Sequence, residues 1–245
     1  MELLDWRRRV AELFVELRRR EATAETLAWF RAEKDALFRS HPQSPLPRAE
    51  RAGFSGLQYW PFDAGARVAA HFTADTPDLP PGSDPLPPTP LSRSRERGAR
   101  GPRRGMGAAD AGDERREPGE ANQPLAPPEP REPGEIDFFR IGWLNFELAR
   151  QPLRLPAYWI AGYAGGLFVP FRDATSGRET YGGGRYLIDS IKSADLGSDL
   201  ASATVVLDFN YAYHPSCAYD PRWVCPLARP ESRLPLPVRA GERLA

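Results

Sequence analysis

The segment from residue 80 to residue 135 places the strongest constraint on how this chain can fold. Its fifty-six positions contain thirteen prolines and eight glycines, but no Phe, Trp, Tyr, Val or Ile. Such a segment cannot bury enough apolar surface to offset the entropy that is lost on ordering. We therefore predict a disordered Pro/Gly/Arg-rich insertion, which interrupts a single domain made of residues 1–79 and residues 136–245.

An arginine cluster, RSRERGARGPRR at 93–104, lies inside this insertion. Clustered basic residues can contact nucleic acid or an acidic partner, whereas a solvated linker needs neither. We favour the solvated linker. The whole chain has zero formal net charge, so no global field points to nucleic acid, a membrane or acidic partners.

The rest of the composition indicates a protein of the cytoplasm. No apolar run approaches the roughly 18–20 residues that span a bilayer. The first twenty residues carry charges throughout, acids included, and lack the uncharged core of a signal peptide. Two cysteines in 245 residues are too few for a disulfide framework. We expect no membrane partner, and the oligomeric state stays open.

Two amphipathic helices are predicted at the start of the chain. Apolar side chains recur three and four residues apart over residues 1–20, and again from about Ala24 to Arg39. Thr23 is the expected N-cap of the second helix. The apolar face of the first helix consists of Leu3, Trp6, Val10, Leu13 and Leu17. The stripe of the second helix consists of Leu27, Phe30, Lys34 and Leu37.

Short alternating or apolar segments, separated by turn residues, predict about seven β-strands. They cover residues 67–74, 138–147, 153–160, 167–171, 185–191, 204–210 and 234–238. No helical pattern lies between them, so the sheet should be mostly antiparallel. The predicted fold class is α+β and mostly β, an antiparallel barrel or sandwich with two N-terminal helices.

Hydrogen-bonding residues concentrate in two stretches, FRDATSGRETYGGGRY at 171–186 and DFNYAYHPSCAYDPRWVCP at 208–226. Asp208 and Asn210 should share one face at the end of the best predicted strand. A carboxylate buried there needs hydrogen bonds or a cation, and the available cations are Arg172, Arg185 and Arg233. We therefore expect the two stretches to face each other across a site.

The triple glycine at 182–184 favours a turn over a phosphate-binding loop. Phosphate loops run from a strand into a helix with characteristic Gly and Lys spacing. Here the glycines precede a predicted strand, and positive φ angles in a turn explain them better. Such a turn would let Tyr181 and Arg185 face inward.

His214, Cys217 and Cys225 follow the pattern H-x2-C-x7-C. Zinc needs four ligands, or three and a water molecule, and no fourth ligand is evident, so we predict no metal. A Cys217–Cys225 disulfide would contribute roughly 2.5 kcal/mol by chain entropy, but a reducing cytoplasm opposes it. Two reduced, buried thiols are the favoured interpretation.

Nucleophilic catalysis has only weak support in the sequence. Ser176, Ser216 and Cys217 are the candidate nucleophiles, and none lies in a G-x-S-x-G elbow. His214 and Asp208 have spacing that permits a base and its orienting partner. A structural polar network explains the same residues more simply.

Two long strings, FVPFRDATSGRETYGGGRYLID and LDFNYAYHPSCAYDPRWVCPLARPESRLPLPVRAGE, resemble the domain-of-unknown-function family 1684. The string WFRAEKDALFRSHPQSPLPRAERAGFSGLQYWPFD resembles that family's opening segment, so the resemblance covers about residues 27–74 and 137–243. The family's usual pattern has Asn in place of His214 and Asn in place of Ser232. The first departure weakens any mechanism that depends on His214. The family has no established activity, so the resemblance implies the location of a site and not its chemistry.

Three hypotheses follow for the function. The first is a soluble domain with a polar pocket for a small anionic or sugar-like ligand, without a cofactor. Its walls would be Arg172, Asp173, Glu179, Tyr181, Arg185, Asp208, Asn210 and Tyr213. The second is a hydrolase in which Asp208 or Glu179 is the general base and Arg185 stabilises negative charge. The third is a polar network with a purely structural role.

Overall fold

A computed structural model describes residues 1–75, 136–161 and 165–245. The predicted insertion at 80–135 and its arginine cluster lie outside these residues. The domain boundaries drawn around the insertion therefore stay a prediction.

Two helices open the chain, as their apolar periodicity predicts. Helix α1 spans Glu2–Leu17 and helix α2 spans Ala24–Ser40. The Thr23 side chain accepts a hydrogen bond from the Thr26 backbone N–H at 3.2 Å, which confirms it as the N-cap. His41 has extended backbone angles, because a proline follows it and disfavours helical geometry.

The strands are short and all their pairings are antiparallel. In chain order they are β1 (Gln58–Tyr59), β2 (Arg67–Ala74), β3 (Phe138–Leu148), β4 (Gln151–Ile160), β5 (Gly166–Phe171), β6 (Arg185–Asp189), β7 (Ser198–Asp199), β8 (Thr204–Asp208) and β9 (Glu242–Arg243). Strands β1 and β9 form a separate two-stranded sheet. The predicted fold class, α+β with mostly β content, is confirmed.

The main sheet of the described residues has seven strands in the order β6-β5-β4-β3-β2-β8-β7. Strands β6 and β8 lie near its opposite edges, yet they contact each other. The sheet therefore curls into a half-barrel, with its two edges facing across the open side. Right-handed strand twist favours such curling.

The main hydrophobic core fills the inside of this half-barrel. Leu144, Leu155, Val169, Leu207 and Phe209 belong to it, and none is more than 1% exposed. Neighbouring residues on the same strands alternate between the two faces of the sheet. Tyr158 and Phe168 belong to a second cluster outside the barrel. A third cluster joins α1 and α2 to Ala194 and Tyr211 in the segments that follow β6 and β8.

Three predicted strands differ from the structure. The strand predicted at 185–191 ends at Asp189, and a 3-10 helix follows at Ser190–Lys192. The predicted strand at 234–238 is wrong, because Pro235 and Pro237 have no N–H to donate to a ladder. No residue of the segment lies in a strand, and an isolated parallel bridge joins Arg172 to Arg233 just before it. The strand predicted at 204–210 ends at Asp208. The Asp208 side chain accepts a hydrogen bond from the Asn210 N–H, which turns the chain into a 3-10 helix at Phe209–Tyr211.

Candidate functional site

The 171–186 stretch is organised around a buried ion pair. Arg185 is 1% exposed and Asp173 is fully buried. The Arg185 Nη2 atom lies 3.1 Å from Asp173 Oδ2. The guanidinium also donates to the backbone carbonyls of Val238, Ala240 and Glu242. Burial lowers the pKa of Arg185 to about 10, and Asp173 acts in the opposite direction, so the side chain keeps its charge at neutral pH.

Both carboxylate oxygens of Asp173 accept more than one hydrogen bond. Its Oδ2 atom also accepts the Val238 N–H at 2.7 Å. Its Oδ1 atom accepts the Thr175 N–H and hydroxyl, at 3.1 and 2.6 Å, and the Ser176 hydroxyl at 3.2 Å. Both Asp173 oxygens and both Nη atoms of Arg185 thus bond to the protein itself.

The triple glycine forms the predicted turn beside this pair. The Gly184 N–H donates to the Tyr181 carbonyl at 3.0 Å. Gly184 has a φ of 96°, and a Cβ atom there would lie 2.5 Å from the Phe171 carbonyl oxygen. Glycine at this position therefore permits the close approach of two backbones.

Asp208 and Asn210 lie in a different polar cluster. Asp208 Oδ2 is 3.2 Å from Arg67 Nη1, because Arg67 and Asp208 are directly paired across β2 and β8. The prediction that Arg172, Arg185 or Arg233 supplies the cation is therefore wrong. Burial raises the pKa of Asp208, while hydrogen bonds from Asn210 and Arg67 oppose that effect.

Asn210 ties this cluster to the loop before β2. Its side chain accepts the Asp63 N–H at 2.9 Å and donates to the Asp63 carbonyl at 2.7 Å. Its amide also donates to Asp208 Oδ1 at 2.9 Å. The Asp208–Asn210 cluster therefore holds two loops together.

Glu179 lies in a third place, at the surface. It forms two hydrogen bonds with Arg239, at 2.9 and 3.1 Å, and these lower its pKa. Among the described residues, no hydrogen bond joins Glu179 or Asp208 to Arg185. The three members of the hydrolase hypothesis thus belong to separate interactions.

A fourth polar cluster surrounds Glu242, which the sequence reasoning missed. Glu242 is 1% exposed. Its Oε1 atom contacts the Lys34 ammonium group. Its Oε2 atom accepts hydrogen bonds from the backbone N–H of His214 at 2.7 Å and from the Tyr219 hydroxyl at 2.6 Å. Burial alone would raise the pKa of Glu242, but the Lys34 ammonium group and the Tyr219 hydroxyl hold it below its ordinary value.

His214 is neutral in this cluster. Its Nε2 atom accepts the Tyr181 N–H at 3.3 Å, so the ring proton belongs on Nδ1, which lies 3.7 Å from Glu242 Oε2. Burial lowers the pKa of His214 to about 4, although Glu242 acts in the opposite direction. A base with so low a pKa is poorly matched to proton transfer near pH 7.

One signal in the sequence pointed to this cluster. Lys34 stands in the apolar stripe of α2, with Leu27 and Phe30. A lysine in a stripe that becomes buried requires a partner. Nothing in the sequence around Glu242 indicates its role, because it is 208 positions from Lys34 and only folding brings its carboxylate to the Lys34 ammonium group.

The two cysteines are free thiols of intermediate burial. The Cys217 N–H lies 3.4 Å from Cys225 Sγ, and the Tyr181 hydroxyl lies 3.7 Å from Cys217 Sγ. Burial raises the pKa of the Cys217 thiol. Within the part of the chain that the structure describes, no three or more His, Cys, Asp and Glu side chains are grouped to hold a metal.

Two adjoining cavities open between α1 and the half-barrel, and we call them together the α1 cleft. The inner cavity has about 70 Å³ and the outer about 320 Å³. Trp6, Val10, Pro45, Lys192 and Ser216 line both. Of the residues predicted for a site, Tyr213 and His214 line the inner cavity, whereas Arg172, Asp173, Glu179, Tyr181, Arg185, Asp208 and Asn210 line neither.

The comparison with known proteins identifies the family. Residues 117–243 match the model of a family described as "Protein of unknown function (DUF1684)", which is more than half of the chain. The chain belongs to the DUF1684 family. The resemblance inferred from the two polar stretches is thereby confirmed.

Among the similar solved structures, one resembles this DUF1684 chain over most of its length. It is the solution NMR structure of an uncharacterized protein of Haloarcula marismortui, with 28% sequence identity and a TM-score of 0.50. The match covers 90% of this chain and 93% of that one. No curated protein matches the sequence. Among the described residues of the DUF1684 chain, no helix has the length and apolar character to cross a membrane.

Proposed function

We propose that this DUF1684 protein binds a small anionic ligand with an apolar body in the α1 cleft. The observation that carries the proposal is the cleft itself, which is walled by apolar and aromatic side chains and has polar groups at its inner end. Small-molecule sites have this character, with a few polar groups that fix the orientation of the ligand. The main apolar residues are Trp6, Val10, Leu13, Phe14, Phe30 and Ile160.

The charges that line the cleft support an anionic ligand. Among the described residues that line it, three side chains are basic, those of Arg7, Lys34 and Lys192, and one is acidic, that of Asp189. Lys34 is already paired with the buried Glu242, so Arg7 and Lys192 are the cations that favour an anionic ligand. Lys192 forms an ion pair with Asp189 at 2.7 Å and is 41% exposed. A ligand carboxylate can therefore approach Lys192 from the solvent side.

The inner end of the cleft offers further polar groups. The Lys34 ammonium group lies 4.7 Å from the centre of the Tyr213 ring. The Tyr213 hydroxyl is buried and makes no hydrogen bond of ordinary length among the described residues. Burial raises its pKa, and the Asp189 carboxylate is close enough to interact with the hydroxyl and raise the pKa further. A polar ligand atom or a water molecule in the cleft would complete the hydrogen bonding of this hydroxyl.

The other predicted site residues support a structural role. Asp173, Arg185, Asp208 and Asn210 direct their hydrogen bonds to the protein itself. We therefore infer that the 171–186 stretch locks the fold and leaves recognition to the α1 cleft. A hydrolase that uses Asp208 or Glu179 together with Arg185 has no comparable geometric support.

Isothermal titration calorimetry with octanoate tests the proposal, with neutral octyl glucoside as the sugar-like comparison. Lys192→Gln removes an exposed charge, so we expect octanoate to bind about two- to fivefold more weakly. Arg239→Gln breaks a more exposed ion pair outside the cleft, with Glu179, and is the control, expected to leave binding unchanged. Absence of saturable octanoate binding, or equal effects of the two variants, would refute the proposal.

A further inference from the structure

A separate cavity of about 420 Å³ lies at the open side of the half-barrel. Its walls come from both sides of the opening, with Leu167 and Ile188 from β5 and β6 and with Phe72 and Val205 from β2 and β8. It shares no lining residue with the α1 cleft. The cavity exists because the curled sheet stops short of closing into a full barrel.

The hydrophobic core is incomplete at this cavity. Phe72, Ile141, Leu167 and Val205 pack against the main core but remain partly exposed, and all four line the cavity. Leu200, in the turn between β7 and β8, also lines it and is 80% exposed. Apolar surface grouped in a concave site marks a binding site for an apolar body.

The charged side chains that line the cavity indicate which charge a bound ligand should carry. Two carboxylates line it, those of Asp195 and Asp199, and among the described residues no Lys, Arg or His side chain does. Asp195 is paired with Arg18 at 3.3 Å. Asp199 instead accepts hydrogen bonds from the Ala201 N–H and the Ser202 hydroxyl, and it has no cationic partner among the described residues.

We propose that this cavity is a second ligand site, which takes an amphiphile with a hydrocarbon body and a cationic, ammonium-type head group. The hydrocarbon body covers Phe72, Ile141, Leu167 and Val205 and continues the core outwards. The ammonium group lies at the mouth, beside Asp199. The side chain of Leu200 packs over the chain of the ligand.

Titration calorimetry with hexyl-, octyl- and decyltrimethylammonium, below their micelle concentrations, tests both parts of the site. Each buried methylene contributes about 0.8 kcal/mol, which corresponds to about a fourfold decrease in the dissociation constant. Decyl sulfate has the same chain with the opposite charge, and we expect it to bind more weakly than decyltrimethylammonium. Equal binding of the two would overturn the assignment of a cationic head group.

Two variants localise the binding without disturbing the core, because both positions are exposed. Asp199→Asn should weaken binding of decyltrimethylammonium about two- to fivefold, the range for one exposed charge. Leu200→Arg adds a cation at the mouth and should weaken it at least as much. Glu147→Gln removes an exposed carboxylate of β3 that does not line the cavity, and it is the matched control. Binding that is unchanged in both Asp199→Asn and Leu200→Arg, or weakened equally by Glu147→Gln, would overturn the proposal.

Discussion

Replacement of Asp173 by Asn tests whether the 171–186 stretch locks the fold. In the structure both carboxylate oxygens of Asp173 face only donors, including Arg185 Nη2 and the N–H groups of Val238 and Thr175. An asparagine must turn its NH2 group towards one of these donors, whichever way it rotates. It also removes the one carboxylate that forms an ion pair with the buried Arg185 among the described residues.

The expected loss of unfolding free energy follows from the burial of the pair, because the side chains of Arg185 and Asp173 are 1% and 0% exposed. Breaking a buried ion pair from one side costs about 3–5 kcal/mol, a large share of the roughly 5–15 kcal/mol that stabilises a typical domain. Urea unfolding monitored by circular dichroism measures this loss of unfolding free energy. With a slope of about 2 kcal/mol/M, the midpoint should decrease by about 2 M.

The matched control is Glu179→Gln, which breaks a carboxylate–arginine pair in the same stretch. There the side chains of Arg239 and Glu179 are 59% and 39% exposed, so the loss should be at most about 1 kcal/mol. If Asp173→Asn costs no more than Glu179→Gln, the structural role of the buried pair is refuted.

Two further predictions concern the buried His214 and the turn at Gly184. Burial lowers the pKa of His214 to about 4 from 6.5, so the unfolded chain takes up this proton first, and stability should fall by about 3 kcal/mol between pH 6.5 and pH 4. This decrease should be absent from His214→Asn, and identical urea-unfolding profiles across that pH range would contradict the assignment. Gly184→Ala should destabilise by about 1–3 kcal/mol because of its positive φ and the nearby Phe171 carbonyl. Gly182→Ala meets no close contact, and equal thermal stability of the two alanine variants would refute this explanation.

Local patterns were sufficient to predict most of the secondary structure. Strand β2 begins and ends at the predicted residues, and Thr23 is the predicted cap. These features depend on side-chain periodicity and on groups within three positions of one another. The segment at 234–238 misled the prediction because its alternating leucines and prolines imitate a half-buried strand, although prolines cannot donate to a ladder.

The polar residues were harder to group from the sequence. The sequence predicts Arg172, Arg185 or Arg233 as the cation beside Asp208, but the register of β2 and β8 brings Arg67 to it. Register is a property of the assembled sheet, and a single sequence does not reveal which strands are neighbours. The same limit concealed Glu242, whose partners Lys34, His214 and Tyr219 come from distant parts of the chain.

The pairing of Lys34 with Glu242 also constrains the order in which the protein can mature during translation. The two residues are 208 positions apart, and at about 5–20 residues per second the ribosome needs about 10–40 s to make the chain between them. During that interval Lys34 has no Glu242 carboxylate to neutralise it, and β1 likewise has no β9 to pair with until the same residues are made. Nascent chains therefore expose the Lys34 face of α2 until Glu242 has been made.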